Sequence, residues 1–305
     1  MKRVLIVGHK GQDGRILSKS LRGQGHYVFG VGRGDIDLTD PLAVGDLLKK
    51  EKPDEIYYLA AYHHSSEDRR ESSDAELFHN SFDVHVLGVV SFLNGMQQVL
   101  PGGRIFYAAS SHVFGKVDEY PQNELTPFRP VNIYGISKCA GMEACRYYRK
   151  MYGVHASCGI LYNHESGYRS EKFVSKKIVA GALAILLGKS TSLSLGNLDA
   201  RIDWGYAPDY VEAMQAIIAE ELPDDYIIAT GLTHSVREFV EVVFSGLGLN
   251  WEEYVTVDKE LITKNEKQGL LVGDFNKLNK RTGWEPKTGF SEMIRLMLKH
   301  NENEN

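Results

Sequence analysis

VLIVGHKGQDGRILSKSL, residues 4–21, decides the architecture of this chain. Four apolar residues, three of them β-branched, make a short buried strand, and glycines begin where it ends. Gly8, Gly11 and Gly14 then lead into an amphipathic helix. Glycine lets the backbone turn tightly and approach a ligand closely, and the free N–H groups at a helix start favour a diphosphate. A glycine triplet alone is weak, because glycines also serve plain turns. Here it follows a strand, opens a helix and begins a βαβ array, the context such a motif needs.

The same rhythm continues to about residue 165. Strands are expected at Arg3–Val7, Tyr27–Val31, Glu55–Leu59, Arg104–Ala109 and His155–Leu161. Helices are expected at Gly14–Arg22, Pro41–Lys50, Leu77–Leu100 and Tyr134–Met151. This alternation predicts an α/β fold, a doubly wound parallel (Rossmann) sheet with a smaller interleaved substrate lobe. Residues 1–165 are expected to form the dinucleotide-binding domain, with a later contribution from about 200–230, and 166–305 mainly the lobe. Beyond Tyr162 a polar NHESGYRSEK precedes a helix at Phe173–Leu187. A strand and helix follow at Tyr226–Ala229 and Val236–Leu247, and a last helix at Phe290–Leu298 precedes a frayed NENEN.

Composition narrows the classes. Of 305 residues, 43% are hydrophobic and 25% charged, which excludes disordered and fibrous chains. Forty acidic against thirty-five basic side chains leave a formal charge of −5, which speaks against a nucleic-acid binder working through overall charge. Three cysteines are too few and irregular for a disulfide framework or zinc site, which fits a reducing, cytoplasmic setting. No apolar run reaches the ~18–20 residues of a membrane span. No metal is expected. His79 and His85, six apart on a helix, share no face.

The spacing G-x-x-G-x-x-G points to the short-chain dehydrogenase variety of dinucleotide fold, with Gln12 and Asp13 inside the loop. Arg33, at the end of VFGVGRGDIDLTD, is placed for the 2′-phosphate of NADP, which is expected ahead of NAD. Asp35 competes for the ribose, and an ordinary surface charge is the structural alternative. Asp37 and Leu38 border the adenine; Leu59, Ala60 and Ala61 line the cofactor at the third strand end. His63 and His64 follow, read more as a solvated loop than as pocket.

Tyr134-Gly-Ile-Ser-Lys138 is a Y-x-x-x-K pair one helical turn apart, so both side chains share a face. An ammonium beside a phenol favours the phenolate, making it a proton acceptor. YAASSHVFG upstream brings Ser110 and Ser111 to a strand's carboxyl end, where open α/β sheets hold ligands.

GQDG, PDEIYYLAA, the Y-x-x-x-K helix, NHES, LGNLDARIDWGYAPDYVEAM, the HSVREFVE run and GWEP together resemble the GDP-mannose 4,6-dehydratases, a branch of the extended short-chain dehydrogenases. The resemblance spans nearly the whole chain. It implies a nucleotide-diphosphate sugar, GDP-linked, as substrate and a recycled NADP. Tyr134 would take the proton of the sugar 4-OH, Lys138 hold the nicotinamide ribose, and Ser110 orient the 4-OH. Elimination across C5 and C6 would follow. Ser111, Asn163, Glu165, Lys177, Arg201 and Lys264 are the expected substrate contacts.

Three departures matter. The family's A-S-T-S-E-L-Y-G is AASSHVFG here, so His112 stands where the glutamate that works on C5 and C6 is expected. His112 either replaces it as acid–base, or lines the pocket of a 4-dehydrogenase, reductase or epimerase that does not dehydrate, or is structural. A non-catalytic NADP(H)-sensing protein is a further alternative. The family's arginine before DWG is Ile202 here, with Arg201 one place earlier. The stretch from Arg33 to Asp37 is also shorter than in the family, which favours a homodimer through Leu77–Leu100 and Tyr134–Met151 over a tetramer.

Overall fold

The computed structural model describes residues 1–63, 73–258 and 269–302, with residues 301 and 302 described by backbone alone. Lys264, His64 and most of the charged run 65–76 lie outside the described residues. In chain order the first half contains β1 (Arg3–Val7), α1 (Gln12–Gly23), β2 (Tyr27–Val31), α2 (Pro41–Glu51), β3 (Glu55–Tyr58), α3 (Asp74–Phe82), α4 (Gly88–Val99), β4 (Arg104–Ala108), α5 (Ile133–Tyr152) and β5 (His155–Leu161). The second half contains β6 (Asn163–Glu165), α6 (Val174–Leu186), β7 (Leu193–Leu195), β8 (Arg201–Ile202), β9 (Trp204–Tyr206), α7 (Ala207–Ala219), β10 (Asp225–Ile228), β11 (His234–Ser235), α8 (Val236–Gly246), β12 (Val255–Val257), α9 (Asn276–Thr282) and α10 (Phe290–Glu302).

Six parallel strands form the main sheet in the order β10-β5-β4-β3-β1-β2. Alternate side chains go to opposite faces. Leu5, Val7, Ile56, Tyr58, Ile105 and Tyr107 pack with α2, α4 and α5, whereas Val4, Ile6, Tyr57 and Phe106 pack with α1 and α7. The strand order reverses between β1 and β3, and at such a switch point both helix layers diverge and leave a crevice. A third core joins α6, α8 and α10 around Trp204, Phe239 and Ile294. Phe275, Leu278 and Trp284 return to the main-sheet core, a crossing the sequence rhythm did not reveal.

The single helix expected over Leu77–Leu100 is α3, one π-helical turn at Asp83–Leu87, and α4. The reason is nonlocal. The widened turn offers its carbonyls to two buried hydroxyls: Tyr58 donates to Val84 O at 2.5 Å and Tyr107 to His85 O at 3.0 Å. Gly88 is needed where the helix resumes, since a Cβ there would sit 2.2 Å from the Tyr58 hydroxyl.

Asp203, in the DWG sequence, is buried and accepts from Thr230 N and Oγ1, Gly231 N and Gly273 N. It ties the ends of three segments together beneath the lobe.

Candidate active site

A cleft of about 700 Å³ opens at the switch point. It is lined by Gly8, Gly11, Gln12, Asp13 and Gly14 from the first turn, Arg33, Asp37 and Leu38 after β2, and Leu59, Ala60 and Ala61 after β3. Ser110, His112, Tyr134, Lys138 and Asn163 line it further along.

The glycine turn is shaped for close approach. Gly8 has φ +92°, and a Cβ there would meet Ala60 N at 2.8 Å, so β1 and β3 touch backbone to backbone. A Cβ on Gly14 would lie 2.5 Å from Gly8 O and 2.6 Å from His9 Cα. Gly11 caps α1 without a side-chain hydrogen bond, which leaves the helix-start N–H groups facing the cleft. This cradle, its length and its donors fit a dinucleotide. Asp35 is occupied: its carboxylate accepts Gly32 N–H at 2.8 Å and lies 3.9 Å from Lys10. Arg33 is exposed at the rim with no such tie.

Gln12 and Asp13 have a second task. Gln12 donates to His164 O and accepts from Ser166, and Asp13 lies 3.0 Å from His164 Nε2. Burial alone would raise the Asp13 carboxyl, but the His164 imidazole holds it below the ordinary value. Burial likewise opposes the charge on His164, and Asp13 nevertheless raises its pKa. The glycine turn is thereby stitched to β6 and the lobe.

Tyr134 and Lys138 lie in the first turns of α5, which Asn132 caps by accepting Gly135 N–H. Lys138 is 1% exposed and donates to Ala108 O at 2.7 Å; its ammonium is 5.7 Å from the Tyr134 ring centre. The expectation of a lowered tyrosine pKa is not met in the free protein. Burial pushes Tyr134 up to about 12, against the opposing influence of Arg169 and a Ser110 hydrogen bond. Burial also pushes Lys138 down to about 7, and the Ala108 carbonyl shares its charge.

His85 braces this helix from below. Its Nε2 accepts Tyr62 N–H at 2.9 Å, so Nδ1 carries the proton and donates to Ser137 at 2.7 Å. Burial pushes its pKa down to about 2, so it is a fixed neutral strut standing edge-on to Tyr134 at 5.2 Å. His63, expected mainly as solvated loop, instead lines the cleft 5.3 Å from the Tyr134 ring and 4.7 Å from that of Phe173.

Four expected substrate contacts do not line the cleft. Ser111 is 2% exposed, because a 3-10 turn after β4 sends Ser110 and His112 to the cleft and Ser111 into the interior. Glu165 is buried and is held by Ser175 and by Arg169 at 3.1 Å. Lys177 lies one turn into α6, beyond Phe173, the last residue to reach the cleft. Arg201 bonds Thr233 O and Glu238; Ile202 packs on the lobe core, and adjacent strand residues face opposite ways. Arg169 and Phe173, which line the cleft, were not singled out from sequence. The four-residue spacing from Glu165 to Arg169 was the available signal, hidden because the segment is not a helix.

An open parallel sheet, a glycine cradle at its switch point and a serine after β4 that shares the cleft with a tyrosine and a lysine of α5 define a dinucleotide-dependent enzyme of the short-chain dehydrogenase class. Solved structures agree on the fold. RMD from Pseudomonas aeruginosa, complexed with NADPH, superposes with a TM-score of 0.85 at 21% identity, covering 99% of this chain and 100% of that one. UDP-glucose 4-epimerase from Thermus thermophilus, complexed with NAD, gives 0.82 at 24% identity, covering 99% and 100%. The family profile for GDP-mannose 4,6 dehydratase matches residues 34–297. GDP-mannose 4,6 dehydratase 2 of Arabidopsis thaliana is 37% identical over 97% of this chain and 86% of its own length. The human GDP-mannose 4,6 dehydratase is 34% identical over 96% and 90%. This chain belongs to the GDP-mannose 4,6-dehydratase family.

Proposed function

We propose that the protein converts a nucleotide-diphosphate sugar, GDP-mannose or a close relative, into its 4-keto-6-deoxy derivative with NADP as a recycled cofactor. The observation that carries this reading is the meeting of Ser110, Tyr134 and Lys138 in one cleft with the glycine cradle, in a chain of this family. Bound NADP would accept hydride from the sugar and return it. Tyr134 takes the proton of the 4-OH, Ser110 orients that hydroxyl, and Lys138, held by Ala108 O, keeps further N–H donors for the ribose. Arg169 and Asn163 face the sugar side, and Lys264 is a proposed diphosphate contact. Arg169 is fixed for that task by Glu165.

His112 in place of the family's glutamate favours a second reading, a 4-dehydrogenase, reductase or epimerase that leaves the C6 hydroxyl in place. Product mass separates the two over a panel of GDP-, UDP- and dTDP-sugars. Loss of one water, greatest with a GDP-sugar, supports the dehydratase. A product of unchanged mass supports the alternative.

Arg33 supports NADP over NAD, because its guanidinium matches a phosphate in fork geometry. Arg33→Ala is expected to weaken NADPH by roughly 10- to 100-fold, the worth of a charged hydrogen bond, and to leave NADH unchanged. Equal losses for both cofactors in fluorescence titration would remove Arg33 from 2′-phosphate recognition. Exposed Tyr147, Met151 and Tyr152 along α5 support a homodimer through α4 and α5. Among the described residues no helix is long and apolar enough to cross a membrane; a cytoplasmic setting is part of the proposal.

A further inference from the structure

Asn132 caps α5 and touches His112, and the first bond dictates the second. Its Oδ1 accepts Gly135 N–H at 2.8 Å. Turning the amide over would set its NH₂ against another N–H, so the orientation is determined. The Nδ2 group therefore faces away from the helix, 3.0 Å from His112 Nδ1. An amide NH₂ can only donate, so Nδ1 must be the accepting, unprotonated nitrogen of the ring. The proton of the neutral imidazole then sits on Nε2. His112 lines the cleft, its backbone N–H is held by Ser110 Oγ, and its Nε2 has no hydrogen bond to any described residue. Burial favours the neutral ring, holding its pKa below the ordinary imidazole value against the Asn132 bond. An imidazolium would need a proton on Nδ1, pointing at the Asn132 NH₂.

We propose that Asn132 is a positioning residue that fixes His112 in the tautomer protonated at Nε2, so that His112 meets the substrate as a hydrogen-bond donor and not as a proton acceptor. On the reading of the cleft given above, the natural recipient is a sugar oxygen that gains negative charge, the C4 oxygen as its proton passes to Tyr134. A fixed N–H donor stabilises such charge without itself changing protonation state, the part a neutral histidine can play as an electrophile. His112 thus does not take over the proton-accepting half of the glutamate's work.

The test uses the full-length protein with ¹⁵N-labelled histidine and no nucleotide sugar. Long-range ¹H–¹⁵N correlations report which ring nitrogen carries the proton, with His112 assigned by the signals lost in His112→Gln. Wild type is expected to show a protonated Nε2 and a bare Nδ1. In Asn132→Asp one carboxylate oxygen still caps Gly135, since aspartate caps as well as asparagine. The other now accepts from Nδ1, so His112 is expected to gain an Nδ1 proton and to titrate between about pH 5 and 8. If that variant does not fold, Asn132→Ser keeps a cap, withdraws the amide and is expected to give mixed tautomers. A wild-type Nδ1 proton, or a pattern unmoved by either substitution, overturns the proposal. Because no substrate is present, that failure would leave the reading of the cleft standing, whereas product masses test the cleft and not the tautomer.

Discussion

Tyr134→Phe is expected to lower turnover by roughly 100- to 10,000-fold, the contribution of a positioned proton-transfer group, while leaving cofactor affinity and melting temperature near wild type. Only the hydroxyl is removed. The ring stays wedged among His63, His85 and His112, with centroids 5.3, 5.2 and 5.7 Å away, so packing survives the change. In the free protein the phenol is neutral at physiological pH, because burial pushes it up to about 12. Its proton traffic therefore depends on what the occupied cleft adds to Arg169 and Ser110, both of which already pull the value down. Steady-state kinetics with a GDP-sugar, paired with NADPH titration, measures the effect. A variant retaining most of its activity would remove Tyr134 from the chemistry. It would also revive the non-catalytic sensing alternative, since cofactor binding alone would then explain the cleft.

Gly14→Val is expected to abolish dinucleotide binding and to destabilise the fold by about 1–3 kcal/mol, the usual cost of overpacking. The clash is with backbone: Gly8 O at 2.5 Å, His9 Cα at 2.6 Å and His9 C at 2.7 Å. No side chain can rotate to relieve it, so the turn must open. Opening it also pulls on Gln12 and Asp13, and through them on His164 and the lobe. Gly23, at the other end of the same helix, meets nothing within 4 Å, which makes Gly23→Ala the control. That control should bind NADPH normally and melt no lower than wild type. Intact NADPH binding by Gly14→Val would show that the cofactor does not sit on this turn.

Local patterns in the sequence foretold what local physics decides. The β1–glycine–α1 stretch is such a case, because a buried apolar strand, a turn needing no Cβ and a 3.6-residue periodicity each leave their mark within a few residues. Tyr134 and Lys138 were equally legible, since one helical turn fixes their common face. The π turn at Asp83–Leu87 was not, because its cause is two tyrosine hydroxyls on other strands. Ser110 and Ser111 were both expected at the ligand, Ser110 on the 4-OH and Ser111 as a substrate contact, and a 3-10 turn sends the first to the cleft and the second to the core. Glu165 carried a family motif, but its place is beneath Arg169, a relation that depends on how the NHESGYRSEK segment folds back. Asn132 was not singled out from sequence, and only its cap bond and its distance to His112 in the folded chain give it a role. The lysine and tyrosine pKa values were hardest of all to foresee. Both follow from depth of burial, which outweighs the pairing that their spacing suggests.

The central claim is that the family's dehydration, with a recycled cofactor, takes place in this cleft. The most direct measurement is mass spectrometry of the product from GDP-mannose with NADP supplied far below the sugar concentration, wild type beside His112→Glu. The prediction is a GDP-sugar lighter by one water, formed over many turnovers per cofactor with no accumulation of NADPH. A product of unchanged mass, or turnover that stops when the NADP has been reduced, would contradict it. If His112→Glu alone gave the lighter product, dehydration would belong to the family's glutamate and not to this chain.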